Sequence, residues 1–420
     1  MKKETKHSEM DLLLLAGRIL LESGAEIYRV EETMTRMAEV LELDQFGTYV
    51  VNRAIVTSAL NTKGISESRT MTVAETSINL GRLEAVNTFS RNLSQHKSYD
   101  IPSLYQELQN IETSHYHSDW QVILAYFAGA GGFSLALGST AGDSLASALT
   151  GALLGCFFQM ITPYIQTRFL LNIFGASFVA LIANLLYFGG LGQHRSLIIL
   201  GTLMVMIPGA FFVNAIREFS QNNYFTGLSL SMSALLTCSA ISAGVAVTIA
   251  FLPFADQMTS TFTQAEVTPV KLLVQILSAG FGTVAFSILY QTPKRHFLDL
   301  GILGGLTWGL YRILWHFFQI EALAVFVPAL LVAAVSRILA IKRKSPATIF
   351  LSTSMFPLIP GLSFYRGIYF FLTGSEVLAI EHLQSSFITA FTITIAITIV
   401  QQVSMKRFIR NTVRSKDLKA

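Results

Sequence analysis

From about residue 120 onward the chain is a succession of apolar runs, each long enough to cross a bilayer. Ten are visible, at roughly 120–139, 141–160, 168–189, 196–216, 227–252, 268–290, 296–314, 319–340, 346–372 and 383–403. A helix needs about 20 apolar residues to span the hydrocarbon, so this part is expected to be a polytopic α-helical membrane protein of about ten transmembrane helices. Composition agrees: 52% of residues are hydrophobic and 13% charged, against roughly 25% charged in a soluble protein. The charges are unevenly placed. Residues 1–118 hold 12 of the 30 Lys+Arg and most of the acids. The organisation that follows is a small cytoplasmic domain at 1–118, two five-helix membrane modules at 119–253 and 254–405, and a basic tail at 406–420. The net charge of +4 lies in membrane-flanking loops and the tail, so it argues for a lipid bilayer and not for nucleic acid as partner.

Orientation follows from the positive-inside rule. With the amino terminus in the cytoplasm, the cytoplasmic connections and tail hold Arg168, Arg217, Lys294, Arg295, Arg337, Lys342, Arg343, Lys344, Lys406, Arg407, Arg410, Arg414, Lys416 and Lys419. The outer connections hold only Arg195, Lys271 and Arg312, alongside Asp256, Glu266, Glu321, Glu376 and Glu381. Both termini are then cytoplasmic.

Ten spans divide into five and five, and an odd number per unit inverts the second unit relative to the first. A short phrase marks the correspondence. Ile207-Pro208-Gly209 lies in the fourth run and Ile359-Pro360-Gly361 in the ninth, each followed at the same offset by a polar side chain, Asn214 or Arg366. Proline and glycine break helices, and a broken helix in hydrocarbon persists only where protein or a water-filled cavity satisfies its freed backbone groups. Paired breaks in two halves point to a transporter's substrate site. Other echoes agree: Ala128-Gly129-Ala130-Gly131 with Ala279-Gly280-Phe281-Gly282, Gly151 and Gly155 with Gly305 and Gly309, and Asp143 with Asp299. The expected fold is therefore two inverted five-helix repeats. Glycine-rich helices also resemble one another simply because small residues suit helix packing.

The soluble stretch reads as two amphipathic helices in 9–42 broken near Gly24, with Ile27, Val30, Met34, Met37 and Leu41 at helical spacing. Strand-like segments follow at Thr48–Val51, Ala54–Ala59 and Arg69–Val73, then helices at about 79–95 and 101–113. This is a small α+β unit. It has no glycine-rich phosphate loop, no Cys/His pairing and no GxSxG. Its histidines, His7, His96, His115 and His117, are scattered. Cys156 and Cys238 fall in apolar runs with no metal-ligand spacing around them. No signal peptide is expected, since Leu12–Leu15 is short, is followed by Arg18 and lacks a cleavage site. No catalytic residue, metal or cofactor is expected, and the chain is read as a non-enzyme.

The segment Glu22-Ser23-Gly24-Ala25-Glu26-Ile27-Tyr28-Arg29-Val30-Glu31 resembles the opening signature of the threonine/serine exporter family. The stretch from Ile207 to Glu218 is similar to that family's Pro-Gly…Asn-x-x-Arg-Asp motif, with Glu218 in place of the usual aspartate, and Gly227 after it also matches. Residues 1–252 look like the family's first module and 268–403 like its second. The resemblance implies a plasma-membrane exporter of small polar metabolites in a bacterium: threonine and serine, or dicarboxylates such as succinate, driven by the proton gradient. Tyr28, Arg29 and Glu31 then stand in the cytoplasmic-domain motif.

Such substrates carry a carboxylate, whose desolvation calls for a fixed cation, oriented amides or a helix amino terminus. Arg366 is the expected anchor, an intramembrane ionisable residue past the second break. Its alternative is an arginine reaching for the outer headgroups. Asn214 is its counterpart, with a helix–helix hydrogen bond as the plainer role. Arg217 and Glu218 are further substrate-binding candidates, or an anchor and its counter-charge at a span end. Pro208, Gly209, Pro360 and Gly361 are expected to line the site. Asp143 and Asp299 are candidates for proton coupling, since burial raises a carboxyl pKa, and equally for helix capping. A passive channel and an integral-membrane enzyme are the competing classes. A channel usually shows a filter of repeated short loops, and an enzyme needs a cluster of His/Asp/Glu at one membrane level. A homo-oligomer is left open.

Overall fold

The computed structural model describes residues 8–60, 64–73, 77–95, 100–251 and 268–403. The basic tail expected at 406–420 and the connection at 254–267 lie outside them.

Helix α1 (Glu9–Glu22) opens on a capping box between Ser8 and Asp11. It ends where Gly24 turns the chain at φ +81°, a left-handed conformation that suits glycine. Helix α2 (Ile27–Val40) presents Ile27, Val30, Met34 and Met37 to the core. Strands β1 (Asp44–Val51), β2 (Ala54–Leu60) and β3 (Ser66–Thr72) form an antiparallel sheet in the order β1-β2-β3. Val51 pairs with Ala54 across a two-residue turn. In β2 the buried residues alternate as Ile55, Thr57 and Ala59, so one face of the sheet packs on α1 and α2. Helices α3 (Leu80–Leu93) and α4 (Ile101–Thr113) complete the unit.

Its core does not close on itself. Leu300, Ile349 and Phe350, from the part of the chain after residue 119, are buried in the same cluster as Leu13, Met34 and Leu83. The linker is clamped as well. Gln291 Oε1 accepts the backbone N–H groups of Tyr116 and His117, and the His117 Nε2 lies 2.7 Å from the Thr292 carbonyl oxygen. In α3, Glu84 meets Nε2 of the fully buried His296 at 3.0 Å. Burial pushes the Glu84 carboxyl up, but hydrogen bonds from His296, Ser345 and Arg295 outweigh it and hold it below its ordinary value.

The second part holds α5 (Asp119–Ala136), α6 (Ala141–Ile161), α7 (Arg168–Phe188), α8 (Arg195–Leu203), α9 (Gly209–Ser220), α10 (Tyr224–Phe251), α11 (Pro269–Leu289), α12 (Phe297–Phe318), α13 (Glu321–Arg343), α14 (Ala347–Ser354), α15 (Gly361–Leu372) and α16 (Glu376–Gln402). Among the described residues seven helices are long and apolar enough to cross a membrane, or eight when α14 and α15, bent by 51°, count as one broken span. The two other expected spans, 120–139 and 196–216, are α5 and the pair α8 and α9, which are not among those helices. Large apolar residues face outward at helical spacing, as at Leu298, Ile302 and Leu306 or Phe391, Ile395 and Ile399, all more than a third exposed. Small residues face inward, where van der Waals packing between helices favours close approach.

The helix partnerships recur with the halves exchanged. Helix α5 packs on α6 and α8, and α11 packs on α12 and α14. Helix α10 packs on α7 and α9, and α16 on α13 and α15. Across the halves α5 meets α11, α9 meets α15, α10 meets α15 and α16 meets α9. Glycines allow the same contacts in both. A Cβ on Gly151 would lie 2.5 Å from the Tyr126 carbonyl, and one on Gly305 would lie 2.9 Å from that of Ile276. Gly155 sits over the Tyr126 side chain, and Gly309 over the Ile276 side chain.

Candidate functional site

The two Ile-Pro-Gly phrases meet. Pro208 (φ −83°, ψ 45°) precedes α9 and Pro360 (φ −78°, ψ 33°) precedes α15, in nearly the same backbone conformation. A Cβ on Gly209 would come 2.3 Å from the Ile359 side chain and 3.2 Å from Gly361 Cα. A Cβ on Gly361 would come 2.7 Å from the Ile207 side chain and 3.2 Å from Gly209 Cα. The breaks therefore cross backbone to backbone, each isoleucine folded over the other phrase's glycine. Four residues past each proline, Phe212 and Phe364 stack with centroids 4.5 Å apart at 17°. The first turn of a helix has unpaired N–H groups and a positive dipole end. Here two such ends, of α9 and α15, are brought together.

A cavity lies on each side of the crossing. The far cavity, away from the sheet, encloses about 270 Å³ and is walled by Ile359 and Pro360. Its charged lining is Arg366, Arg312 and Glu321, with Trp308, Tyr311 and Trp315 along one face of α12. Glu321 Oε1 accepts the hydroxyls of Ser385 and Thr389, the latter at 3.1 Å. The Nε of Arg312 and the Nε1 of Trp308 are buried without a hydrogen-bond partner among the described residues. The near cavity, about 460 Å³, is walled by Ile207 and Pro208 and lined by Tyr126, Phe158, Arg168, Asn172 and Thr237. Its elements correspond to those of the far cavity with the halves exchanged, but its lining holds a single charge.

On the sheet side, Glu26 ends the Ser-Gly-Ala-Glu loop and caps the start of α2 without a side-chain bond to it. Its carboxylate forms an ion pair with Arg217 of α9 and accepts the Thr348 hydroxyl of α14 at 3.3 Å. The side chains of Arg217 and Glu26 are 5% and 8% exposed. Glu218 accepts from the Asn223 amide at 2.7 Å. The two sequence motifs, far apart in the chain, are thus one buried contact that also touches the other half.

The expected site residues fall into separate places. Pro208, Gly209, Pro360 and Gly361 come together at the crossing. Arg366 is half-buried and lines the far cavity. Asn214 is not beside it. Asn214 lines a pocket of about 40 Å³ on the near side with Glu26, Arg217 and Glu218. Asp143 is fully buried, its oxygens taken by the N–H of Gln193 at 2.6 Å, the N–H of His194 at 2.8 Å, the His194 ring and the Thr140 hydroxyl. Asp299 holds Arg343 in a two-pronged pair at 2.7 and 3.0 Å. Each aspartate is the third residue of its helix and ties down the connection into a broken span. Tyr28, Arg29 and Glu31 line a cavity of about 840 Å³ between α2 and the ends of α13 and α16. Arg337 also lines it.

Sequence reasoning missed Arg312 and Glu321 as site residues by assigning them to outer connections. The signal was there: Trp308, Tyr311, Arg312 and Trp315 recur at three- and four-residue spacing, which is one helix face.

Comparison with known proteins gives the following. Residues 11–252 match the family described as "Putative threonine/serine exporter", and residues 275–403 match that described as "Threonine/Serine exporter, ThrE". The "Probable threonine/serine exporter" of Mycobacterium tuberculosis (strain ATCC 25618 / H37Rv) is 21% identical over 374 residues, which cover 86% of this chain and 70% of the relative. No solved structure matches the chain.

Proposed function

The chain belongs to the threonine/serine exporter family, and on that premise we propose that it is a secondary active carrier of a small carboxylate-bearing metabolite, threonine or serine foremost. Membership makes it a multi-pass exporter of the cell membrane, and the family is one of transporters rather than enzymes. The finer reading is alternating access by two inverted five-helix repeats, ten spans in all, with α8 and α9 forming the fourth and α14 and α15 the ninth. The amino-terminal unit faces the cytoplasm, on the side where Lys and Arg accumulate.

One observation carries this reading: the two broken helices cross at Gly209 and Gly361 between two cavities built from corresponding elements. A carrier needs one site reachable from either side in turn, and exchanging the conformations of two equivalent halves provides it. The paired helix amino termini at the crossing favour a negative group there. Arg366 anchors the carboxylate from the far side, and Arg168 and Asn172 receive it on the near side. Asn214, Arg217 and Glu218 shape the near-side closure. Asp143 and Asp299 are the candidates for proton coupling, each holding a connection whose release frees a break to move.

The alternative substrate is a dicarboxylate of the succinate kind. The test is efflux from cells overproducing the protein and loaded in parallel with threonine, serine and succinate, with and without an uncoupler. Loss of threonine and serine that an uncoupler abolishes is the expected result. Loss of succinate alone replaces the substrate. Counterflow, in which preloaded ligand stimulates uptake, separates a carrier from a channel, and its absence for every ligand would overturn the carrier.

A further inference from the structure

We infer that the far cavity is a zwitterion site, in which Arg366 and Arg312 take a carboxylate and Glu321 takes the α-ammonium of an amino acid. The inference rests on the carrier reading for its role in transport, but its chemistry is read from the cavity itself.

The cavity holds two guanidiniums and one carboxylate. A guanidinium offers a planar fork of donors matched to a carboxylate, and the Arg312 Nε is a buried donor with no hydrogen-bond partner among the described residues. Glu321 is fixed differently. Two hydroxyls, of Ser385 and Thr389, hold the same oxygen, Oε1. Both donate to it, so they orient the group. A carboxylate in a half-buried site suits a cation as partner. The α12 face adds to this. Trp308 and Tyr311 lie with ring centroids 5.2 Å apart, and Tyr311 and Trp315 at 6.5 Å. Aromatic faces attract an ammonium group, and the Trp308 Nε1 is a second buried donor without a partner among the described residues. The volume, about 270 Å³, sits just below the ~300–1,000 Å³ of sites that hold drug-sized ligands, as suits a small metabolite.

The same inventory discriminates. A dicarboxylate places its second negative group in a cavity that already holds Glu321, and like charges a few ångströms apart in a half-buried site repel strongly. An N-acylated amino acid keeps its carboxylate but has no cation for Glu321. The near cavity lacks any acid in its described lining, so this discrimination belongs to the far side.

The chain has three tryptophans, and two of them, Trp308 and Trp315, line this cavity. In purified Trp120→Phe protein the tryptophan fluorescence therefore reports on the site directly. Titration with L-serine and L-threonine is expected to give a saturable change, with N-acetyl-L-serine and succinate at least tenfold weaker. Glu321→Gln is expected to weaken L-serine at least tenfold and to narrow its advantage over N-acetyl-L-serine to less than threefold. Glu321→Asp, which keeps the charge, restores part of the preference. Equal responses to serine and succinate, preference unchanged in Glu321→Gln, or no response to any of the four ligands overturns the site. Counterflow by the same protein in proteoliposomes reads the carrier separately. Counterflow of serine without a fluorescence change sinks the zwitterion site and leaves the carrier. A serine response without counterflow of any ligand does the reverse.

Discussion

At the scale of single residues, burial decides what a charge is for. Arg217 and Arg366 each follow a broken segment, but they line different places: Arg217 is paired with the buried carboxylate of Glu26, and Arg366 lines the far cavity. Removing one member of a buried pair leaves an uncompensated charge and costs ~3–5 kcal/mol, whereas replacing both with apolar or neutral groups is often nearly neutral. Glu26→Ala is therefore expected to lower the thermal stability of the detergent-solubilised protein, and Glu26→Gln with Arg217→Met to recover most of it. Equal losses in the single and double variants would show that the pair is not the unit. Arg366 has the other role. Arg366→Ala is expected to abolish efflux while the protein still inserts and purifies in normal amounts, and normal transport by that variant would remove Arg366 from the site. Arg366 was legible in the sequence because an arginine stands out among apolar neighbours. Glu321 was not, because an acid at the first position of a helix reads as a loop residue until the fold brings it against Ser385 and Thr389.

At the scale of elements, the crossing of the two breaks is the feature on which the rest depends. Glycine is required at 209 and 361 because each backbone lies against the other. A methyl at Gly209 meets the Ile359 side chain, and overpacking of this kind costs ~1–3 kcal/mol. Gly209→Ala is expected to cut counterflow at least tenfold without preventing insertion. Ile359→Ala, which removes the obstructing branch, should restore a good part of it in the double variant. Failure of the second change to restore any activity would mean that the contact is not what limits movement. The existence of the breaks was readable from Pro and Gly alone, since both disfavour helix interiors. Their contact was not readable, because a residue 152 positions away leaves no local mark on helical periodicity. Asp143 shows the converse. Its capping box with Thr140 is a local pattern, while its bonds to Gln193 and His194 come from a distant connection.

At the scale of the whole molecule, the amino-terminal unit is built into the membrane part instead of hanging from it. Its core includes Leu300, Ile349 and Phe350, and the linker is pinned by Gln291. Its helix α2 lines the 840 Å³ cavity with Tyr28, Arg29 and Glu31, next to Arg337. Deleting residues 1–110 uncovers those apolar side chains and opens that cavity. The truncated protein is expected to insert but to transport at less than a tenth of the full rate, as measured by efflux normalised to membrane content. An unchanged rate would make the unit an accessory. The sequence by itself determined the helical membrane class, the small sheet-containing stretch near the amino terminus, the positions of nearly every helix and the helix breaks at Pro208-Gly209 and Pro360-Gly361, because hydrophobic run length and Pro/Gly chemistry act locally along the chain. Only the tertiary structure decided which charges meet. It placed Asn214 and Arg366 on opposite sides of one crossing, joined Glu26 to Arg217 and assembled Arg312, Glu321 and Arg366 around one cavity. The physical reason is that these arrangements depend on helix contacts across the bilayer, where small residues permit approach in many registers and only the packed whole selects one.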